Sequence, residues 1–283
     1  MTPGDADADD LRLALELVDV ADAMTTAAFR RPDLVVEAKP DLTPVTEADR
    51  GVEEAVRARL EATRPGDAVM GEEYGASGGP GGDGSGRRRW IIDPIDGTKN
   101  FVRGIPVWAT LLALEVDGAL VVGVASAPAL GRRWWAGRGL GAYAGAPGEA
   151  GVPIAVSAVA ELGDAQVSYS GTADWAARGR LDGLVALERR CWRGRGFGDF
   201  WSHVLVAEGS TEIGLDPVVS LWDLAALQVI VEEAGGRFTD LAGAPRPDGG
   251  SAISTNGLLH DEALRVLMGR GPGPGAGPAG GYG

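Results

Sequence analysis

The sequence predicts an α/β protein of two lobes, the first half rich in antiparallel strands and the second alternating helix with strand. Three observations carry this prediction. Two turn signals in the first half, Asp117-Gly118 and Gly137-Arg138-Gly139, each lie between strand-like runs. Beyond about Pro147 the apolar spacing switches back and forth between the helical and the extended period. Hydrophobic residues make up 45% of the 283, enough for a sizeable core.

The elements follow in order. Leu11, Ala14, Leu15, Val18, Ala21, Met24 and Ala28 recur at helical spacing and predict an amphipathic helix from Asp9 to Arg30. Pro40 to Pro44 breaks the pattern, Thr46 caps a second helix to about Thr63, and Arg64-Pro65-Gly66 ends it. Ala68 to Met70 is a short strand. Gly75 to Gly86, nearly all Gly, Ala, Ser, Pro and Asp, predicts a mobile surface loop. Trp90 to Ile92 is a short buried strand, followed by a hairpin of Val107–Val116 with Leu120–Ala125 and a second of Arg133–Ala136 with Ala142–Tyr143. The second half predicts a strand at Ala165–Tyr169, helices at Ala173–Leu187 and Phe200–Glu208, and a strand at Glu212–Leu215. A helix at Leu221–Ala234, stopped by Gly235-Gly236, a strand near Ser251–Ser254 and a helix at Asp261–Met268 complete it. Lobes at 1–146 and 147–270 and a disordered Gly/Pro-rich tail at 271–283 are the expected domains.

Composition excludes several functions. Lys and Arg number 26 against 40 Asp and Glu, a formal charge of −14, whereas nucleic acid and anionic membranes select basic faces. The acidity either keeps the chain soluble or draws cations. No apolar run reaches the roughly 18–20 residues that span a bilayer. The acidic start, Met1 to Asp10, does not resemble a signal peptide, and Cys191 is the only cysteine, so a cytoplasmic protein without disulfides is expected. The only histidines, His203 and His260, are too far apart in sequence to suggest a zinc site. The chemistry therefore falls to carboxylates.

The densest signal is Trp90-Ile91-Ile92-Asp93-Pro94-Ile95-Asp96-Gly97-Thr98-Lys99-Asn100-Phe101. A buried strand ending at Asp93 delivers its carboxylate to the strand's C-terminal edge, where α/β proteins bind ligands. Pro94 has no N–H and disfavours helix at Asp93. The turn can leave the Ile95 carbonyl free and set Asp93 and Asp96 toward one point. Hard oxygen ligands of this kind suit Mg²⁺, and a helix opening at Gly97-Thr98 suits a phosphate oxygen. An Asx turn with solvated carboxylates fits the same letters. Glu72 follows a strand in Gly71-Glu72-Glu73, next to the loop that returns to Asp93. Asp49 in Thr46-Glu47-Ala48-Asp49 and Asp223 in Ser220-Leu221-Trp222-Asp223 each fit a capping box, which also points an acid at any site by that helix end. Gly75-Ala76-Ser77-Gly78-Gly79 has the letters of a nucleophile elbow and Gly137 to Ala142 those of a dinucleotide fingerprint. Neither has the required strand–turn–helix context.

In this order, Val45-Thr46-Glu47-Ala48-Asp49, Gly71-Glu72-Glu73, Asp93 to Phe101, and Leu221-Trp222-Asp223 before a helix ending Glu233-Ala234-Gly235-Gly236, the chain resembles the inositol-monophosphatase superfamily from about Leu34 to Leu267. The resemblance implies a layered α-β-α-β-α fold, two or three Mg²⁺ ions and hydrolysis of a small phosphate monoester. By position it makes Glu72, Asp93, the Ile95 carbonyl, Asp96 and Asp223 metal ligands. It also sets Thr98, hydrogen-bonded to Asp49, to orient the attacking water with Glu72, and it suggests a homodimer. Four acids in one cleft also demand cations on charge alone, since two charges about 4 Å apart repel by roughly 4 kcal/mol at an effective dielectric of 20.

Within the superfamily, Lys99, Arg103 to Trp108 and Arg195-Gly196-Phe197-Gly198-Asp199-Phe200 look closest to the histidinol-phosphate phosphatases of histidine biosynthesis. Phosphate contacts are expected from Asp96, Gly97, Thr98 and Asp223 with Arg195 assisting, while Asp199 and Asp216 would pair with a cationic substrate. An inositol or sugar-phosphate phosphatase is the alternative in the same class, and a metal-binding regulatory protein without turnover the alternative in another.

Overall fold

The structure, a computed structural model, describes residues 6–39 and 43–269. The tail from Gly271 and residues Pro40 to Leu42 of the expected break lie outside them.

Asp7 caps α1 (Ala8–Ala28) by accepting the Asp9 N–H, and the helix buries Leu13, Ala14, Leu17, Val18 and Ala21 at the expected spacing. β1 (Val36–Ala38) and β2 (Pro44–Thr46) form a small antiparallel ribbon that the sequence does not signal. Thr46 then opens α2 (Glu47–Thr63) with the full capping box to Asp49.

An eight-stranded sheet follows, in the order β10-β9-β8-β7-β6-β5-β3-β4. Its members are β3 (Ala68–Gly71), β4 (Gly75–Gly78), β5 (Arg88–Asp96), β6 (Ala109–Val116), β7 (Ala119–Ala127), β8 (Arg132–Gly137), β9 (Gly141–Gly145) and β10 (Val152–Pro153). Both hairpins form where the turn signals predict. Asp117 and Gly118 take φ of 51° and 81°, the left-handed pair that a two-residue turn needs. Two expectations change. The loop from Gly75 begins as a true edge strand, because β3 offers free backbone groups that even Gly-Ala-Ser-Gly can pair with. The short strand at Trp90 to Ile92 instead runs to nine residues and carries the acid turn at its end. α3 (Thr98–Val102) is a single turn after it.

The second sheet, β12-β11-β13-β15-β14, comprises β11 (Gln166–Tyr169), β12 (Arg193–Arg195), β13 (Ile213–Asp216), β14 (Arg237–Thr239) and β15 (Ala252–Thr255). The single helix expected from Ala173 to Leu187 is two, α4 (Thr172–Ala177) and α5 (Leu181–Arg190), parted at Gly179 with φ 64°. α6 (Asp199–Ala207), α7 (Leu221–Glu233) and α8 (His260–Leu267) complete the fold.

Alternation along the strands sorts the core. Trp90, Ile92, Leu112 and Leu114 face α1 and α2, while Ile91, Leu111 and Ala113 face α6 and α7. Phe238 and Ala252 of the second sheet join that same inner cluster, and Val167, Ile213 and Ile253 face α4, α5 and α8 on the far side. The layers therefore run α-β-α-β-α. α7 is buried nearly all round because it lies between two sheets.

Candidate active site

Glu72, Asp93, Asp96, Asp199 and Asp223 line one cleft of about 540 Å³ together with Ile95, Gly97 and Thr98. Strand pairing explains the first two. β3 and β5 are parallel with Gly71 opposite Ile92, and the Glu72 N–H donates to the Ile92 carbonyl at 3.2 Å. Glu72 and Asp93 thus leave adjacent strands side by side. Between Asp93 and Asp96 the pairing with β6 slips, and the Asp93 carboxylate accepts the Ile95 N–H at 3.0 Å. Asp96 accepts the Phe200 N–H at 2.7 Å, tying this turn to the start of α6. Asp223 enters from the first turn of α7, held by the Ser220 N–H at 2.7 Å.

Oxygens of Asp93, Asp96 and Asp223 all lie within 4.8 Å of one another. Burial above all, then Glu72, Asp96 and Asp223, raises the Asp93 carboxyl far above its ordinary range. Burial followed by Asp199 and Asp223 does the same to Asp96. Asp223 is pushed to about 7, again by burial first, with Glu72 and Asp216 adding repulsion against the Ser220 N–H. Five carboxylates and two lysines, Lys39 and Lys99, line the cleft. Hard, half-buried to buried, mutually repelling oxygen donors fit a divalent cation of the magnesium or calcium kind and suit no soft metal.

The other expected residues take varied places. Asp49 is fully buried; its Oδ2 accepts the Thr46 N–H at 2.8 Å and hydroxyl at 2.6 Å, while Oδ1 has no partner. Burial lifts its pKa to about 6, opposed by the Thr46 bonds and aided by Glu72. The expected Thr98–Asp49 hydrogen bond is not formed. Thr98 donates instead to the Ile95 carbonyl at 3.0 Å, the acceptor that the slipped turn leaves free three residues back. Asp199 sits at φ 49° at the head of α6, and Asn100 donates to it at 3.3 Å. Its pKa rises to about 6 through burial and then Asp216, with Lys99 opposing.

Asp216 and Arg195 do not line the cleft. Asp216 is buried behind it, 2.8 Å from His203 Nε2, and the same ring reaches Ser254 through Nδ1 at 2.8 Å. Arg195 lies on the exposed edge strand β12 and donates to the Gly194 carbonyl. Sequence reasoning missed Lys39, whose ammonium bridges Glu72 at 2.7 Å and Glu73 at 2.6 Å. It also missed Trp222, Val218 and Val219, which give the cleft an apolar wall. The only signal for that wall was its adjacency to Asp223.

A profile of the inositol monophosphatase family matches residues 8–268. A histidinol-phosphatase of Mycobacterium tuberculosis (strain H37Rv) is 56% identical over 259 residues, 92% of this chain and 98% of that one. One of Streptomyces coelicolor is 52% identical over 92% of this chain and 97% of its own. Among solved structures, the IMPase of Thermotoga maritima superposes with a TM-score of 0.80 at 31% identity, covering 92% of this chain and 97% of that one.

Proposed function

The chain belongs to the inositol monophosphatase family, and from that membership we propose that this phosphatase hydrolyses L-histidinol phosphate to L-histidinol and phosphate with the help of two or three Mg²⁺ ions. Two identities above 50% to histidinol-phosphatases support the substrate. The observation that carries it in this molecule is the Asp199 carboxylate, which lines the same cleft as Asp93, Asp96 and Asp223. One end of that cleft suits a metal-bound phosphate. The other offers an acid to a cationic amine or imidazole, which an inositol ring lacks.

In this proposal Glu72, Asp93, the Ile95 carbonyl, Asp96 and Asp223 hold the ions. Magnesium, when bound there, supplies a water of lowered pKa and stabilises the charge on the leaving oxygen. With an ion held by the Ile95 carbonyl, the Thr98 hydroxyl would be free to donate to Asp49 Oδ1, which has no partner here. The Thr98 oxygen then accepts a hydrogen bond from the attacking water, which Glu72 also orients. The water oxygen bonds to phosphorus as the ester P–O bond breaks, and the water's proton ends on the departing alcohol. No phosphoenzyme forms. Gly97 and Thr98 cradle a phosphate oxygen. Asp216, behind the cleft, adds negative potential to the amine end, and Arg195, held on edge strand β12 outside the cleft, takes no part in the proposal.

Two lobes meeting at about residue 147, a homodimer and a cytoplasmic setting belong to the same proposal. Among the described residues no helix is long and apolar enough to cross a membrane. A phosphate-release panel of histidinol phosphate, inositol 1-phosphate, fructose 1,6-bisphosphate and adenosine 3′,5′-bisphosphate, with and without EDTA, tests it. Histidinol phosphate should turn over fastest and only with Mg²⁺. Equal or faster release from inositol 1-phosphate would transfer the proposal to that substrate.

A further inference from the structure

α2 carries two acids one helical turn apart, Asp49 and Glu53, and both are fully buried. Asp49 belongs to the site already described. Glu53 does not line the cleft, yet its carboxylate is engaged on every side. Oε2 accepts the Glu73 N–H at 2.8 Å and Oε1 the Tyr74 N–H at 3.2 Å. Arg57, the next turn along, donates Nε and Nη2 to the same Oε1 at 2.8 and 2.7 Å.

These two N–H groups belong to the residues that follow Glu72. On its other side, the Glu72 N–H is tied to the Ile92 carbonyl. The backbone around Glu72 is thus fixed from both directions, by β5 before it and by Glu53 after it. Gly71 makes the approach possible: a Cβ there would lie 2.1 Å from Glu53 Oε1. Arg57 extends the clamp, donating to the Ser77 hydroxyl and the Gly75 carbonyl, both at 2.5 Å, so edge strand β4 is fastened to the same carboxylate.

We propose that Glu53 is the positioning residue for Glu72, holding the Gly71-Glu72-Glu73 turn so that the Glu72 carboxylate stays aimed at Asp93 with or without metal. A buried carboxylate is costly unless its lone pairs are filled. Here they are filled by the N–H groups of the turn it must hold and by the Arg57 guanidinium. Glu53 touches neither substrate nor ion. It sets the cost of bringing Glu72 to a metal. The proposal rests on Glu72 being a metal ligand.

The test is Mg²⁺ affinity by titration calorimetry on the substrate-free protein, for the wild type, Glu72→Gln and Glu53→Gln. Glutamine keeps the shape of Glu53, but its NH₂ cannot accept the Glu73 N–H. Outer partners of metal ligands typically change affinity by about 10–100-fold, and a weakening of about tenfold is expected for Glu53→Gln, with kcat recovered at saturating Mg²⁺. A loss of global stability alone would lower Tm and leave the affinity of the folded fraction unmoved. Should Glu53→Gln not fold, Arg57→Gln leaves the carboxylate in place with a looser clamp, and a weakening of about threefold is expected. An unchanged Mg²⁺ affinity in whichever of the two variants folds overturns the proposal, provided that Glu72→Gln weakens binding. If Glu72→Gln itself leaves Mg²⁺ affinity unchanged, the assignment of Glu72 as a ligand fails first.

Discussion

Lys39 and Glu72 are joined by a 2.7 Å ion pair at the rim of the acidic cleft, and the same ammonium reaches Glu73 at 2.6 Å. Both partners are about four-fifths buried. The surrounding carboxylates hold the Lys39 ammonium charged far above its ordinary range, despite burial, which opposes this as the largest single effect. Lys39 is therefore an internal cation that competes with any ion bound by Glu72. Lys39→Met should tighten Mg²⁺ binding by about fivefold, close to the ~1 kcal/mol of a partly buried pair. It should also lower Tm in EDTA. Weaker Mg²⁺ binding in the variant would show that Lys39 assists the loaded site instead.

Asp93 is buried among like charges, facing Glu72, Asp96 and Asp223. Asp93→Asn should lower kcat/KM by more than about 100-fold, beyond the range typical of outer-shell partners. In EDTA the same change should raise Tm, because one buried like charge is gone. Wild-type turnover would remove Asp93 from the metal set.

Asp199 lines the cleft and Asp216 stands behind it, so their effects should differ in size. Asp199→Asn should raise KM for histidinol phosphate about tenfold more than for inositol 1-phosphate, the worth of one charge-assisted hydrogen bond. Asp216→Asn should give the same selectivity in weaker form. Steady-state kinetics on both esters read this directly, and equal effects on the two would exclude the pair from recognising a cation.

His260 gives a pH dependence remote from the cleft. Burial first, and then Arg237, lowers its pKa to about 4, with Asp261 opposing. The Thr239 hydroxyl donates to the Asp240 carbonyl, so His260 Nε2–H donates to Thr239 and Nδ1 accepts from Thr255. The folded state therefore prefers the neutral ring. The unfolded chain takes up a proton near pH 6.5, so this contribution is full above 6.5 and lost as pH falls toward 4. The urea midpoint of the wild type, relative to His260→Gln, should decline between pH 7 and pH 4.5. A constant difference would contradict the assignment.

Much of this was legible because the signals are local. The capping boxes at Thr46 and Ser220, the Asp117-Gly118 turn and the acid string after β5 depend on residues within a few positions of each other. What the sequence hid depends on partners distant along the chain. Gly75 to Gly78 becomes a strand because β3 has an open edge, which no glycine-rich composition signals. Lys39 reaches Glu72 across 33 positions, from the residue just after a three-residue strand with no hydrophobic pattern. Thr98 chooses the Ile95 carbonyl over Asp49 because a slipped pairing exposes that carbonyl, a matter of register and not of residue type.

α7 lies on the inner face of the eight-stranded sheet so closely that a Cβ on Gly123 would come within 2.3 Å of the Ala226 carbonyl. Its opposite side covers Phe238 and Ala252 of the other sheet. The two halves of the polypeptide are therefore not separable pieces. A fragment cut near residue 146 would leave Leu111, Ala113 and Ala125 bare and would precipitate when expressed alone, and a single proteolytic nick there would leave the two pieces associated until denaturant parts them.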